Sequence, residues 1–254
     1  MHTRTHESIV NAQFDPQAPS YLASAVHSQG EDLLELGRLV AGRGDAAALD
    51  LGCGAGHVTF ALAPQVHSVV AYDLSAAMLA ATAAESARRG YRNVTVREGV
   101  VERLPFDAAS FDIVACRYSA HHWREVAAGL REVRRVLKPG GMAVFMDLTA
   151  PDVPLLDTWL QSMELLRDRS HVRNLSLAQW CAKLGETGLQ PQHVRCFRVR
   201  LEFGPWVSRM NTPEPLVRAI RVLQADADDE TLRHFAIESD GSFTVDSMLI
   251  GARG

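Results

Sequence analysis

The chain has 254 residues, 47% of them hydrophobic and 22% charged, with a formal net charge of −4. That length can bury a full core in one or two domains, and the slightly acidic balance argues against a nucleic-acid partner, whose binding surfaces are usually basic. Four widely spaced cysteines, Cys53, Cys116, Cys181 and Cys196, form no ligand pair, no apolar run reaches a membrane span, and "MHTRTHESIVNAQF" has no apolar leader, so the expectation is a cytoplasmic protein without disulfides, zinc or membrane partner.

Residues 1–17 are polar and read as loose. From Pro19 to Val40 the pattern is helical, with Leu33, Leu36, Leu39 and Val40 on one face, until "AGRGDA" breaks it. "AALDL" reads as a strand and "GHVTFALAP" as a helix ended by Pro64. "HSVVAYD" is a strand, followed by the alanine-rich helix "SAAMLAATAAESARRG" with Ser75 as N-cap and Gly90 at its end. "NVTVREG" and "SFDIVACR" are strands. "WREVAAGLREVRRVLKPGG" is a helix in which Val126, Leu130, Val133 and Leu137 keep helical spacing; "KPGG" stops it, and "MAVFMDL" is a fifth strand. This alternation implies a parallel sheet with helices on both faces.

After Ala150 the rhythm changes. Residues 154–187 are helical, "HVRCFRVRLEF" is a long strand, residues 213–238 are helical around the acidic turn "ADADDE", and "SFTVDSMLIGA" is strand-like. No repeat or Pro/Ser linker divides the chain. One domain over 1–254 is expected: an N-terminal helical cover over 1–44, a core over 45–150, and lid helices with the final strands over 151–254.

The stretch "AALDLGCGAGHVTFAL" carries the chemistry. Gly52, Gly54 and Gly56 follow an acid, Asp50, in a strand–turn–helix context. GxGxG is not the dinucleotide fingerprint. Asp50 ends a parallel strand, at the edge where such sheets bind ligands. A carboxylate there repels a pyrophosphate and attracts a cation. Asp73, one βα unit later, can accept hydrogen bonds from both hydroxyls of a ribose. The pair asks for a nucleoside with a cationic, amino-acid-like tail. S-adenosylmethionine has a ribose, an ammonium and a sulfonium, whereas NAD has a ribose and two phosphates. Each acid also has a structural reading: Asp50 as a helix-capping acid, Asp73 as the N-cap of the next helix.

"LDLGCGAGHVTFALAP", "VVAYDLSAAML", "LPFDAASFDIVACRYSAHHW" and "EVRRVLKPGGMAVFMD", in this order over residues 45–150, resemble the class I S-adenosylmethionine-dependent methyltransferases, and within them the UbiE/BioC-like, type 11 branch that acts on small molecules. The resemblance implies an α/β, Rossmann-like, seven-stranded and mostly parallel sheet with an antiparallel last strand, helices on both faces and helical lid insertions. It implies S-adenosylmethionine as cofactor and S-adenosylhomocysteine as product. By the same resemblance Asp50 and the backbone at Gly52, Cys53 and Gly54 meet the methionine ammonium and carboxylate. Asp73 holds the ribose, Leu74 and Met78 pack on the adenine, the Val101 amide reaches an adenine nitrogen, and the Arg117 carbonyl faces the ammonium. Many relatives carry an Asp where this chain has Val100, and that Asp bonds the adenine amino group; the adenine contacts are expected to be made differently here, with Glu102 as a substitute. Met78 reads equally as core, and Cys53 as a small residue in a tight turn.

On the substrate side, "RYSAHHW" supplies Tyr118, His121, His122 and Trp123 after a strand end. The two histidines are candidates to approach the reacting methyl or to act as a base; His122 and Trp123 also read as the start of a packed helix. Adjacent histidines rarely converge on one ion, so no metal is expected. "RDRSHVRN", with Arg167, Arg169, His171 and Arg173, is either a solvated helix end or a cationic patch over the pocket for an acidic substrate. Phe14 and Tyr21 are the candidate anchors of an N-terminal segment folded over the cofactor; an unstructured tail is the competing reading for Phe14. No [ND]PP[YFW] tetrapeptide is present, which lowers the case for a nucleic-acid substrate. A small-molecule acceptor is favoured over a non-catalytic S-adenosylmethionine-binding protein and over a nicotinamide oxidoreductase.

Overall fold

The computed structural model describes residues 5–18 and 30–254. The segment read as loose contains a helix, α1 (His6–Phe14), capped by Thr5, whose hydroxyl accepts the Ser8 amide at 3.2 Å; a 3₁₀ turn follows at Asp15–Gln17. α1 has no fully buried residue, so it leaves no apolar stripe for periodicity to find. It is held by polar contacts: Gln13 donates to the Met210 carbonyl at 2.7 Å, and the Ser75 hydroxyl to Asp15 at 2.5 Å. Of the helix expected from Pro19 to Val40, α2 (Glu31–Val40) is described, and residues 19–29, including Tyr21, lie outside the described residues.

The alternating core follows: β1 (Ala47–Leu51), α3 (His57–Leu62), β2 (Ser68–Asp73), α4 (Ala76–Arg88), β3 (Val94–Glu98), β4 (Phe111–Arg117), α5 (Val126–Val136) and β5 (Leu137–Thr149). Ser75 caps α4 by accepting the Met78 amide. α5 starts three residues later than expected, because a 3₁₀ turn takes Ala120–His122. β5 begins at Leu137 and so includes "KPGG". Pairing with β4 jumps from Phe111↔Leu137 to Ile113↔Met142, so those residues bulge from the ladder. The remaining elements are α6 (Pro154–Arg167), α7 (Leu177–Glu186), β6 (Gln190–Leu201), α8 (Phe203–Arg209), α9 (Glu214–Ala225), α10 (Asp229–Phe235) and β7 (Phe243–Arg253). The expected strand end "EF" instead leads into α8.

The seven strands lie in the order β3-β2-β1-β4-β5-β7-β6. β1 to β5 pair in parallel; β7 inserts antiparallel between β5 and β6. Alternate residues feed opposite faces. Leu49, Leu51, Phe145 and Ile250 pack with Leu130, Val133 and Trp180 of α5 and α7. Ala48, Val69, Val144 and Leu249 pack with Leu36 and Leu62 of α2 and α3. A third cluster joins the insertions to the ends of β6 and β7 through Leu160, Trp206, Ile220, Phe235 and Phe243. Among the described residues no helix is long and apolar enough to cross a membrane.

Candidate functional site

Chain order reverses direction across the sheet between β1 and β4, and this switch point opens a crevice at their carboxyl ends. The glycine turn leaves β1 there. Gly52 has φ +70°, and a Cβ on it would fall 2.0 Å from the Ser119 hydroxyl. Gly54 has φ +50°, and a Cβ on it would meet nothing within 4 Å, so the space over it is open. The turn's amides are used internally: Gly52 and Cys53 both donate to the Tyr72 carbonyl, at 2.8 and 3.0 Å, and Gly54 donates to Asp73 at 2.8 Å. The turn therefore offers a ligand room and carbonyl oxygens, and no free set of amides for an anion.

Asp50 is 1% exposed. One of its oxygens accepts both the Thr59 amide, at 2.8 Å, and the Thr59 hydroxyl, at 2.6 Å. The N-cap of α3 is Gly56, which has no side chain to accept a hydrogen bond, so Asp50 caps the helix from the strand. The capping reading therefore describes its present bonds, while the residue also lines the crevice. Burial pushes its carboxyl up to about 7, the Thr59 bonds oppose that, and the charge of Asp73 adds to it. Asp73 accepts the amides of Gly54 and Ser75, at 2.8 and 2.9 Å, and burial raises its carboxyl above the ordinary value. Ser75, not Asp73, is the N-cap of α4.

A cavity of about 1130 Å³, open to solvent, gathers most of the expected residues. Asp50, Gly52, Cys53, Gly54, Asp73, Leu74, Met78, Val100, Val101, Glu102, Arg117, Tyr118, His122 and Phe14 all line it. The Val100 carbonyl accepts the Tyr72 hydroxyl at 3.0 Å. The Cys53 thiol is buried and its pKa is pushed up by that burial, which does not suit a nucleophile. Lining residues that escaped the sequence reading include His6, Glu7 and Val10 on α1, His57 at the start of α3, Tyr72 and Ser119, and Arg124 beyond Trp123. Glu7 and Arg124 form an ion pair of 3.9 Å between α1 and the β4 side. Tyr118 has φ +50°, a strained value for a side-chain-bearing residue. Its hydroxyl is pushed up to about 12 by burial, and its ring lies 4.5 Å from the Arg117 guanidinium.

The Arg117 side chain turns back into the protein. It forms a two-point ion pair with Asp32 of α2, with contacts of 2.5 and 3.0 Å, both side chains nearly buried. Nothing in the local sequence announces Asp32, because its partner lies 85 residues away.

The histidines separate. His122 lines the cavity; the edge of the Phe14 ring meets it at 5.0 Å, and its carbonyl bonds His6 Nε2 at 2.9 Å. Its Nδ1 lies 3.1 Å from the Ser170 carbonyl, which can only accept, so Nδ1 carries the proton and Nε2 the lone pair of the neutral ring. His121 does not line the cavity; it sits behind His122 with Nδ1 2.6 Å from Asp147. His171 also lies outside the cavity lining. Its Nε2 meets Gln161 Oε1 at 2.8 Å, and burial lowers its pKa to about 2.

The cationic-patch reading of "RDRSHVRN" needs correction. His171 is a neutral, internally bonded ring. Arg173 pairs with Asp157, and Arg167 pairs with Glu164 at 3.5 Å while its guanidinium lies over Trp206. None of the three lines the cavity. The acids against Arg173 and Arg167, Asp157 and Glu164, both belong to α6, an element whose inward face the sequence does not reveal.

A sequence profile described as a methyltransferase domain matches residues 49–145. The Escherichia coli protein YafE is 48% identical over 197 residues, 78% of this chain and 95% of its own length. The Bacillus subtilis methyltransferase YcgJ is 34% identical over 224 residues, 88% of each chain. The crystal structure of YcgJ matches with a TM-score of 0.84 at 32% identity, over 88% of this chain and 97% of that one. A demethylmenaquinone methyltransferase of Chlorobaculum parvum is 32% identical over 165 residues, 61% of this chain and 66% of its own.

Proposed function

Because this chain belongs to the class I S-adenosylmethionine-dependent methyltransferases, we propose that it transfers a methyl group to an uncharged small-molecule acceptor, held between α1 and the turn after β4. The observation that carries the cofactor reading is the pair Asp50 and Asp73. Two carboxylates at the ends of neighbouring strands, Asp50 buried and Asp73 half-buried, face one cavity, and burial raises the pKa of each, a deficit that a bound cation would make good. A ligand with an ammonium and two vicinal hydroxyls fits that deficit and the open space over Gly54. A pyrophosphate does not, because the turn's amides already have acceptors.

The bound cofactor supplies a methyl group on a positively charged sulfur. The chain's residues hold and orient. Asp50 meets the ammonium, Asp73 the ribose hydroxyls, and Leu74, Met78, Val100, Val101 and Glu102 enclose the adenine. α1 covers the acceptor side with Val10 and Phe14, excludes water and brings the acceptor into line. The apolar surfaces of Phe14, Tyr118 and Trp123 face this part of the cavity, and its arginines, Arg117 and Arg124, are both paired with acids. That balance favours a neutral, largely apolar acceptor over an acidic one. The demethylmenaquinone methyltransferases among the relatives, named for a small-molecule substrate, support the same class. His122 takes the proton when the acceptor atom carries one.

Titration calorimetry with S-adenosylmethionine, S-adenosylhomocysteine and NAD tests the proposal. Micromolar-range binding of the first two and none of NAD is expected; binding of NAD alone overturns it. Asp73→Asn keeps one oxygen for the turn and loses the charge, and its affinity for S-adenosylhomocysteine is expected to drop about 10- to 50-fold. An unchanged affinity removes Asp73 from the ribose site.

A further inference from the structure

We propose that Asp147 and His121 are positioning residues for methyl transfer: the Asp147–His121 pair behind the cavity makes His121 the ring that holds a proton, and so keeps His122 the ring that stays neutral in front of the acceptor. This rests on the reading of the cavity as a methyl-transfer site.

The argument begins with two imidazoles in van der Waals contact. The ring centroids of His121 and His122 are 4.2 Å apart, and both side chains are mostly buried. Two positive rings that close, shielded from water, repel strongly, so the pair takes up one proton far more readily than two. Geometry decides which ring holds it. His121 Nδ1 is in direct contact with the Asp147 carboxylate at 2.6 Å. His122 Nε2 is 3.9 Å from Asp168, beyond hydrogen-bond range. Asp168 is itself engaged by the Ser170 amide and hydroxyl, at 2.8 and 2.6 Å.

The remaining charged neighbours support the same division. Glu164 of α6 faces His121, where its charge favours the protonated ring; it is buried beside Arg167, one of its oxygens has no hydrogen bond, and burial raises its pKa above the ordinary value. His171 stacks near His121 at 5.8 Å and is held neutral by burial, with the charges of Arg167 and Arg173 acting in the same direction. His6 Nε2 of α1 meets the His122 carbonyl. Burial alone lowers His121, yet Asp147 outweighs it and the net direction is upward; burial and the neighbouring His121 charge drive His122 downward.

A neutral His122 suits the reaction in two ways. It adds no positive charge to a cavity that must accept a sulfonium. It also leaves Nε2 unprotonated, with its lone pair available as the ring's basic site. A weak base is sufficient, because a hydroxyl proton becomes strongly acidic as its oxygen takes the methyl. One oxygen–carbon bond forms, one carbon–sulfur bond breaks, the hydroxyl proton passes to Nε2, and from there it leaves to solvent.

The test is the imidazole ¹⁵N chemical shift of each ring followed against pH in the ligand-free, full-length protein, with each ring assigned by through-bond correlation to its own backbone. In the wild type His121 is expected to titrate at higher pH than His122. In His121→Gln the His122 midpoint is expected to rise by about one pH unit, and in Asp147→Asn by a smaller amount in the same direction. A wild-type His122 that titrates first on acidification, or a His122 midpoint unmoved by His121→Gln, overturns the proposal. The wild-type order alone decides it should a variant not fold. Calorimetry with S-adenosylhomocysteine on the same sample separates the two readings. Reversed rings with binding intact defeat only the positioning pair, and correct ring order without binding defeats only the methyl-transfer site.

Discussion

Asp50→Asn is expected to stabilise the ligand-free protein and to lower its affinity for S-adenosylmethionine about a hundredfold. The substitution keeps an oxygen for the amide and hydroxyl of Thr59, so the cap of α3 survives. What it removes is a carboxyl whose pKa is moved by burial from its ordinary 3.8 to about 7. The sign follows from proton binding. Below pH 4 the group is protonated in both the folded and unfolded chain and has no effect on stability. Between pH 4 and 7 the unfolded chain has released a proton that the folded chain keeps, so wild-type stability falls as pH rises. Above pH 7 the loss is complete, and a shift of about 3 units corresponds to roughly 4 kcal/mol. The asparagine avoids that loss. Its Tm at pH 7.5 is expected to exceed the wild type by roughly 5–10 °C, and the gap is expected to close toward pH 4.

The affinity moves in the opposite direction, because a cationic ligand rewards the ionised carboxyl. Wild-type binding at pH 7 should therefore release about half a proton per ligand, visible as a dependence of the calorimetric heat on the ionisation enthalpy of the buffer. Asp50→Asn should show no such dependence. A variant that melts with the wild type from pH 5 to 8, or that binds as tightly, would place Asp50 outside the ligand site and leave it only as a cap.

Asp32→Ala is expected to cost about 3 kcal/mol, one of the largest single losses available outside the apolar core. The Arg117 guanidinium is 4% exposed, and both of its described contacts with Asp32 are short. Removing one member of such a pair leaves the desolvation of the other with less compensation, which typically costs 3–5 kcal/mol. The low end applies because the guanidinium keeps its stacking on Tyr118. Urea denaturation reads the loss as a lower midpoint at unchanged slope. The double variant Asp32→Leu/Arg117→Met is expected to be more stable than Asp32→Ala, since it leaves no buried charge behind. A loss below 1 kcal/mol in Asp32→Ala would show that water reaches the pair. Because Arg117 also borders the cavity, the same variant should loosen the turn that carries Tyr118 and weaken S-adenosylhomocysteine binding.

The sequence by itself determined the sheet and singled out many of the residues that border its crevice. Short strand-like runs alternate with helical spacing from Ala47 to Thr149, and each reappears as a strand or helix near its expected boundaries; the central strands β1, β4 and β5 are apolar because both their faces are covered, while the edge strand β3 is exposed and alternates valine with polar residues. "SFTVDSMLIGA" was legible as a strand for the same reason, and the family resemblance supplied its antiparallel direction. Asp50 and Asp73 stood out because a carboxylate at the end of an apolar strand has no use in a core. All the expected cofactor residues border one cavity, since strand ends of a parallel sheet necessarily share an edge.

Tertiary structure alone decided the rest. α1 has no apolar stripe, and the helix and the turn after it are held by polar contacts to residues 60 or more positions away, which no local pattern encodes. The amides of the glycine turn look like ligand donors in sequence, but the fold aims them at Tyr72 and Asp73. His121 and His122 are identical neighbours in the chain; one turns to Asp147, 26 residues away, and the other to Ser170, 48 residues away. Arg167 and Arg173 of "RDRSHVRN" read as part of a patch until the fold sets Glu164 and Asp157 of α6 against them. In each case periodicity reports which face is buried, whereas the charge and hydrogen-bond state of a side chain depends on partners that only the folded chain brings within reach.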